Sequence, residues 1–267
     1  MANQVYENFY LSNEVEDQFN SHLDLAQFCT VDRTLVGTAG MKRIINVYSA
    51  TDGTEKLAKG AGNTKSISVS HTSKEYDILL AQNRFDYFDE EELTDPNLVP
   101  VGMKHAGTDM FNTVNADIYA EYKKATLTTS PSVFDFAAFV DASAKLGIEN
   151  LEGIVKFGFL HPNDMAGVRK ALKDDLKYVE AFAKDGYVGT VAGIHLYTKA
   201  DADEGEVIIG TKEAVTLFIK KGTEVEQITS GARSEEAANK RLNSIFSRKY
   251  YLAALTDATK AVKMVKA

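Results

Sequence analysis

The residues of this chain whose types could do chemistry are five histidines, one cysteine, a run of acids and a glycine-rich loop bearing lysines. The loop most resembles a known device. Its segment GAGNTKS, residues 60–66, closes on Lys65-Ser66, and a glycine-rich turn ahead of such a pair can aim backbone N–H groups at a phosphate. A Walker loop requires glycine six residues and one residue before its lysine. Those positions hold Lys59 and Thr64. The loop must also open into a helix whose positive end faces the anion, whereas Ile67 and Val69 alternate with serines, the pattern of a strand. Nucleotide chemistry fails on both counts. What remains is a glycine-rich tip, carrying Lys56, Lys59 and Lys65, held between two strands.

The other reactive types form no constellation. His22, His71, His105, His161 and His195 stand at no ligand spacing such as H-E-x-x-H. His161, before Pro162, reads as a turn residue between a strand and a helix. Cys29 follows an apolar helix face and reads as a buried thiol rather than a nucleophile; no G-x-S-x-G elbow exists. The acidic run Asp89-Glu90-Glu91-Glu92 lacks the glycine and spacing of a calcium loop and reads as a solvated or partner-facing patch. No zinc finger, helix-turn-helix pattern or basic stripe interleaved with aromatics is present. The sequence therefore assigns no catalytic residue, no cofactor and no metal, and a non-enzyme is expected.

The charge agrees. A net charge of −8 argues against a surface built to wrap nucleic acid. It is unevenly spread: residues 211–267 hold 11 Lys/Arg against 6 Asp/Glu, a segregation of sign that suits pairing between parts of a molecule or between copies. One cysteine allows no internal disulfide. No run approaches the length of a membrane span, so no membrane partner is expected. The N-terminal MANQVYENFYLSNEVEDQFN carries no secretory signal. These features point to the cytoplasm, or to a particle assembled there.

The elements that must position these groups can be read in order. Residues 1–11 are short and apolar, an arm in search of a surface. A helix is expected from Ser12 or Asn13, with Val15, Phe19 and Leu23 at helical spacing. MKRIINVYSA and the segment from Ile67 to Leu93 read as strands flanking the glycine-rich tip. A lone two-stranded ribbon is marginal in water, so this one should lie on something else. One long helix spans about 96–125, capped by Thr94 or Asp95, with Met103, Met110, Val114, Ile118 and Tyr122 as its apolar stripe. After TTSPS the pattern alternates: a helix ending at Gly147, the strand GIVKFGFL, a helix capped by Asn163, short strands through 186–200, GEVIIGT, a long bent strand AVTLFIKKGTEVEQI, then IFSRKYYLAALTD and KAVKMVKA.

Taken in that order, the plan resembles the major capsid proteins of tailed bacteriophages with the Hong Kong 97-type fold. The likeness covers nearly the whole chain. It is strongest from Phe157 to Val265, in FLHPNDMAGVRKALKDD, GYVGTVAGIHLYTKA, EVIIGTKEAVTLFIKKGTEVEQ and KYYLAALTDATKAVKM. It implies an α+β fold with an N-terminal arm and helix at 1–30 and an extended E-loop at 40–80. It further implies a peripheral P-domain at 81–131 and 214–249, built on the spine helix, and an axial A-domain at 132–213 and 250–267. By that resemblance the chain would assemble into pentamers and hexamers, forming an icosahedral or prolate head around double-stranded DNA. A separate scaffolding protein is expected because Met1 leads directly into the arm, with a portal protein at one vertex and decoration proteins as further partners. The location implied is the virion, after assembly in the host cytoplasm. An encapsulin-like nanocompartment shell shares the fold, and a soluble α/β enzyme with an unrecognised site is the reading from another class. The glycine-rich tip then has a purpose: it can adapt to unequal neighbours, with Lys56, Lys59 and Lys65 seeking an acidic patch on the next subunit, to which Asp89, Glu90, Glu91 and Glu92 contribute.

Overall fold

The computed structural model describes residues 24–147, 154–173, 189–229 and 235–267. The arm and most of the helix expected from Ser12 lie outside them. Where that helix was to end, Leu25–Phe28 forms one 3-10 turn, capped by the Asp24 carboxylate accepting from the Ala26 N–H at 2.8 Å.

Two sheets share one long helix. The four-stranded sheet runs in the order β1 (Thr30–Asp32), β10 (Val215–Ile228), β11 (Leu242–Leu255), β4 (Leu79–Phe88). The six-stranded sheet runs β5 (Leu127–Thr129), β12 (Ala261–Val265), β9 (Glu206–Gly210), β6 (Lys156–Leu160), β8 (Ile194–Thr198), β7 (Thr190–Val191). Both of its faces are buried: Phe157, Phe159 and Ile208 point into one core, while Leu160, Val207 and Ile209 point into another. That second core is closed by two helices, Phe136–Lys145 and Pro162–Ala171, through Phe139, Ala142, Met165 and Val168. Strands buried on both faces read as continuous apolar runs, which is why KFGFL and EVIIG stand out in the sequence.

The long helix, Leu98–Lys123, is the keel. Its second half sends Val114, Ile118, Tyr119 and Tyr122 into the core shared by both sheets, against Phe157, Phe159, Val215 and Leu217. Tyr122 is fully buried, and its hydroxyl donates to the carbonyls of Phe28, at 2.6 Å, and Thr211, at 3.3 Å. The helix's first half packs Met103 against Tyr87, Val225 and Ile245. Gly102 permits this approach, because a Cβ there would lie 2.6 Å from the Phe85 ring. Pro100 is tolerated as the third helical residue, where no N–H partner is needed.

Two local expectations need correction. The long helix does not begin at Thr94 or Asp95. Those residues end a separate short helix, Asp89–Thr94, and Asn97 flanks the long one. His161, not Asn163, caps the helix at Pro162: its ring nitrogen accepts from the Asn163 N–H at 3.2 Å. Pro162 at the first helical position makes this the natural arrangement. Strand β11 stays in the four-stranded sheet through Leu255, paired with Val215. The chain then enters the six-stranded sheet at Ala261, and Leu127–Thr129 belongs to the same sheet.

Candidate assembly surface

The expected strands around the glycine-rich tip are β2 (Lys42–Ala50) and β3 (Val69–Asp77), an antiparallel ribbon paired from Lys42↔Asp77 to Ala50↔Val69. It belongs to neither sheet. Along β3 every residue is exposed except Tyr76. The ribbon is anchored at its base, where Ile78 is buried against Phe218 and Ala254 with Ile45 and Tyr76 packed alongside. Past Ile78 the chain turns into β4 and the body of the molecule. The strands expected between Ile67 and Leu93 are thus β3 and β4, separated by one buried isoleucine, with Asp89–Leu93 helical instead.

The tip is folded upon itself. Thr51 and Ser68 bridge its neck: the Thr51 N–H donates to the Ser68 carbonyl and the Ser68 N–H to Thr51 Oγ1, both at 3.0 Å. The Glu55 carboxylate accepts from the Thr64 N–H at 2.8 Å and from Thr64 Oγ1 at 2.6 Å. Those bonds favour the ionised form and hold Glu55 below the usual carboxylate range. Ile67 closes over Gly53, where a Cβ would sit 2.6 Å from it. Gly60 takes a φ of +88°, a region that favours glycine. Outward from this clip stand Lys56, Lys59 and Lys65, all exposed, with Leu57 49% and Ile67 61% exposed beside them.

The acidic run occupies the helix Asp89–Thr94. Asp89 accepts from Asn243 Nδ2 at 2.5 Å, and Glu91 turns back to accept from the Phe88 N–H at 3.0 Å. The carboxylates of Glu90 and Glu92 face solvent with no ion-pair partner among the described residues. The helix overhangs a hollow of about 530 Å³, lined by Phe85, Asp86, Glu90, Glu91, Thr94, Asp95 and Leu98. Phe85 and Leu98 make an apolar floor and four carboxylates the rim. None of the lining residues is basic. Asp86 is paired with Arg84 at 2.6 Å, and Asp95 accepts from the Asn97 N–H at 3.0 Å. Sequence reasoning found the acidic run but missed Phe85, Asp86, Asp95 and Leu98, because only the crossing of β4 under the two helices brings them together.

No protein-family profile matches the chain. Over 266 residues it is 25% identical to the major capsid protein of Staphylococcus phage phiMR11, spanning 96% of this chain and 92% of that one. It superposes on a chain of the bacteriophage PhiM1 mature capsid with a TM-score of 0.68 at 11% identity, over 92% of this chain and 87% of the other. A chain of the virus-like particle from Pyrococcus furiosus matches with a TM-score of 0.65 at 14% identity, over 97% and 99%.

This is the Hong Kong 97-type capsid fold.

The other reactive side chains of this capsid fold have the following surroundings. Cys29 is buried, and burial pushes its thiol up to about 12, so it is held as a neutral apolar group. Burial likewise raises the hydroxyls of Tyr119, Tyr122 and Tyr251, the last also because it donates to Asp117 at 2.6 Å. His195 lies 3.2 Å from the Thr190 hydroxyl, His105 is on an exposed face of the long helix, and His71 is in the ribbon; His22 lies outside the described residues. Among the described residues, no three His, Cys, Asp or Glu side chains gather into a metal site. No described helix is long and apolar enough to cross a membrane.

Proposed function

We propose that this chain is a shell subunit, the major capsid protein of a tailed bacteriophage. Copies of it assemble through pentamers and hexamers into an icosahedral or prolate head around double-stranded DNA. The observation that carries this reading is the end-to-end match to a phage major capsid protein, which leaves little of either chain unaccounted for. The geometry supports it. A nine-residue ribbon with an exposed outer strand is under-stabilised alone, and a shell supplies the surface it lacks. The −8 net charge suits an inner wall that contains DNA without gripping it. In this reading 40–80 is the E-loop, the keel helix is the P-domain spine, and the six-stranded sheet forms the A-domain. The subunit sits in the virion after assembly in the host cytoplasm, with a scaffolding protein, a portal and decoration proteins as partners, and its role is structural rather than catalytic.

The match to the Pyrococcus furiosus virus-like particle favours a second reading, a nanocompartment shell of the encapsulin kind. Electron microscopy of the expressed chain separates shell from enzyme. Closed shells, tubes, or rings of five and six are expected. A small soluble oligomer that stays so when the products of adjacent genes are supplied would overturn the shell reading. Particle contents then decide between the two shells, DNA for a phage head and a cargo protein for a nanocompartment.

A further inference from the structure

The packing between the keel helix and the four-stranded sheet is interrupted part-way along. Toward Lys123 the helix places Val114, Ile118 and Tyr122 in one core with Ile219, Tyr251 and Ala253. Toward Leu98 it places Met103 in another, with Tyr87, Val225 and Ile245. Met110, buried between them on the helix, belongs to neither. Side chains on one face of a strand recur every second residue. On the face that β11 turns to the helix, Ser247 and Lys249 therefore stand between Ile245 and Tyr251. Ser247 pairs in register with Asn83 of β4. Asn83 Nδ2 donates to the Ala106 carbonyl of the keel helix at 2.8 Å, next to the buried Gly107. Asn83 Oδ1 and Ser247 Oγ are shut off from solvent with no hydrogen-bond partner among the described residues. The sheet is irregular at the same level: β10 shifts register against β11 between Ile219 and Lys221 and again between Lys221 and Glu224.

We propose that this level is a polar seam, bridged by one ordered water between Asn83 Oδ1 and Ser247 Oγ, and that the end of the molecule beyond it opens as a unit of its own. Directly paired strand residues hold their Cβ atoms about 5 Å apart, a gap one water can span, and buried polar atoms without a protein partner are where internal waters reside. The unit beyond the seam comprises the far end of β4, the helix Asp89–Thr94, the start of the keel helix and the facing ends of β10 and β11. Its own core holds four fully buried side chains, against nineteen in the core the two sheets share. Few buried apolar contacts mean a low free energy of local opening, and the seam keeps that opening from spreading into the larger core. The acidic hollow travels with this end, so it can adjust while the two sheets stay packed. The inference is independent of the shell reading.

Hydrogen exchange of the full-length native chain in rising, sub-denaturing urea tests the seam. Amides of Phe85, Tyr87, Val225 and Ile245 should exchange through one common opening, at least about tenfold faster than those of Ile118, Tyr122, Leu217 and Ala253. One opening shared by both sets overturns the proposal. Met103→Ala should speed the first set by about tenfold or more and leave the second unchanged. Val225→Ala, a smaller truncation, should give the same pattern at reduced size and serves if the first variant fails to fold. Equal acceleration of both sets by either variant would show a single cooperative body. A high-resolution density map decides the bridge: a water within hydrogen-bonding distance of both Asn83 Oδ1 and Ser247 Oγ is expected, and a direct bond between the two side chains overturns it.

Discussion

The β10–β11 ladder and the β2–β3 ribbon are both antiparallel pairs, yet they stand on different foundations. In the ladder, fourteen-residue strands run almost wholly through buried and half-buried positions. Leu217, Phe218, Ile219 and Val225 on one strand and Ile245, Tyr251, Ala253 and Ala254 on the other are removed from water. Two register shifts around Gly222 bend it over the keel helix. In the ribbon, Ile44 is 55% and Val69 63% exposed, and among the described side chains its apolar contact lies at the base, around Ile78. Backbone hydrogen bonding is similar in kind in the two pairs. The difference is buried apolar area, the dominant favourable term in folding and association. The ladder is therefore a property of the subunit. On the shell reading proposed above, the ribbon depends on what the subunit joins.

If that contrast holds, damage to the body should destabilise the isolated subunit and damage to the ribbon should not. The largest expected effect is Phe159→Ala. Phe159 is fully buried, with its ring centroid 5.2 Å from those of both Phe28 and Phe157. Truncation should cost about 3–5 kcal/mol, read as a lower urea midpoint of the unassembled subunit. A loss under 1 kcal/mol would mean that this core is not what holds the two sheets together.

Alkaline pH should act next, and again on the body. Cys29, Tyr119, Tyr122 and Tyr251 all have values raised by burial above their ordinary 9.0 for the thiol and 10.0 for the hydroxyls. The fold thus favours their neutral forms. Their contribution is complete below the ordinary values and is lost as pH rises through them, first for Cys29 and then for the tyrosines. Each group should remove about 1.4 kcal/mol per pH unit once past its ordinary value. Unfolding free energy measured against pH should bend downward above 9.0. Cys29→Ala should delay the onset of the bend to about 10.0. A flat profile would show that these groups are solvated.

The smallest effect on subunit stability is expected for Ile44→Ser in the ribbon, within about 0.5 kcal/mol of the native chain, while particle yield falls sharply. Loss of subunit stability with assembly intact would reverse the comparison.

How much of this was legible beforehand varies with the kind of burial. Elements buried on both faces or along a full stripe announced themselves: KFGFL and EVIIG as apolar runs, and Met103, Met110, Val114, Ile118 and Tyr122 as a helical stripe, with every residue but Lys156 buried. The helix-capping role of His161 was missed because a competing cap, Asn163, lay two residues away, and geometry alone chooses between them. The acidic run was read, but the hollow beneath it was not, since Phe85 and Leu98 belong to different elements.

By itself, then, the sequence determined the order of elements, the cores that fill them and the absence of a recognisable catalytic motif, because periodicity and residue type act locally along the chain. Only the tertiary structure decided that the keel helix serves two sheets at once, that the ribbon stands off the body, and that an apolar floor lies under the acids. Those outcomes depend on which distant segments exclude water from one another, and no local pattern records that.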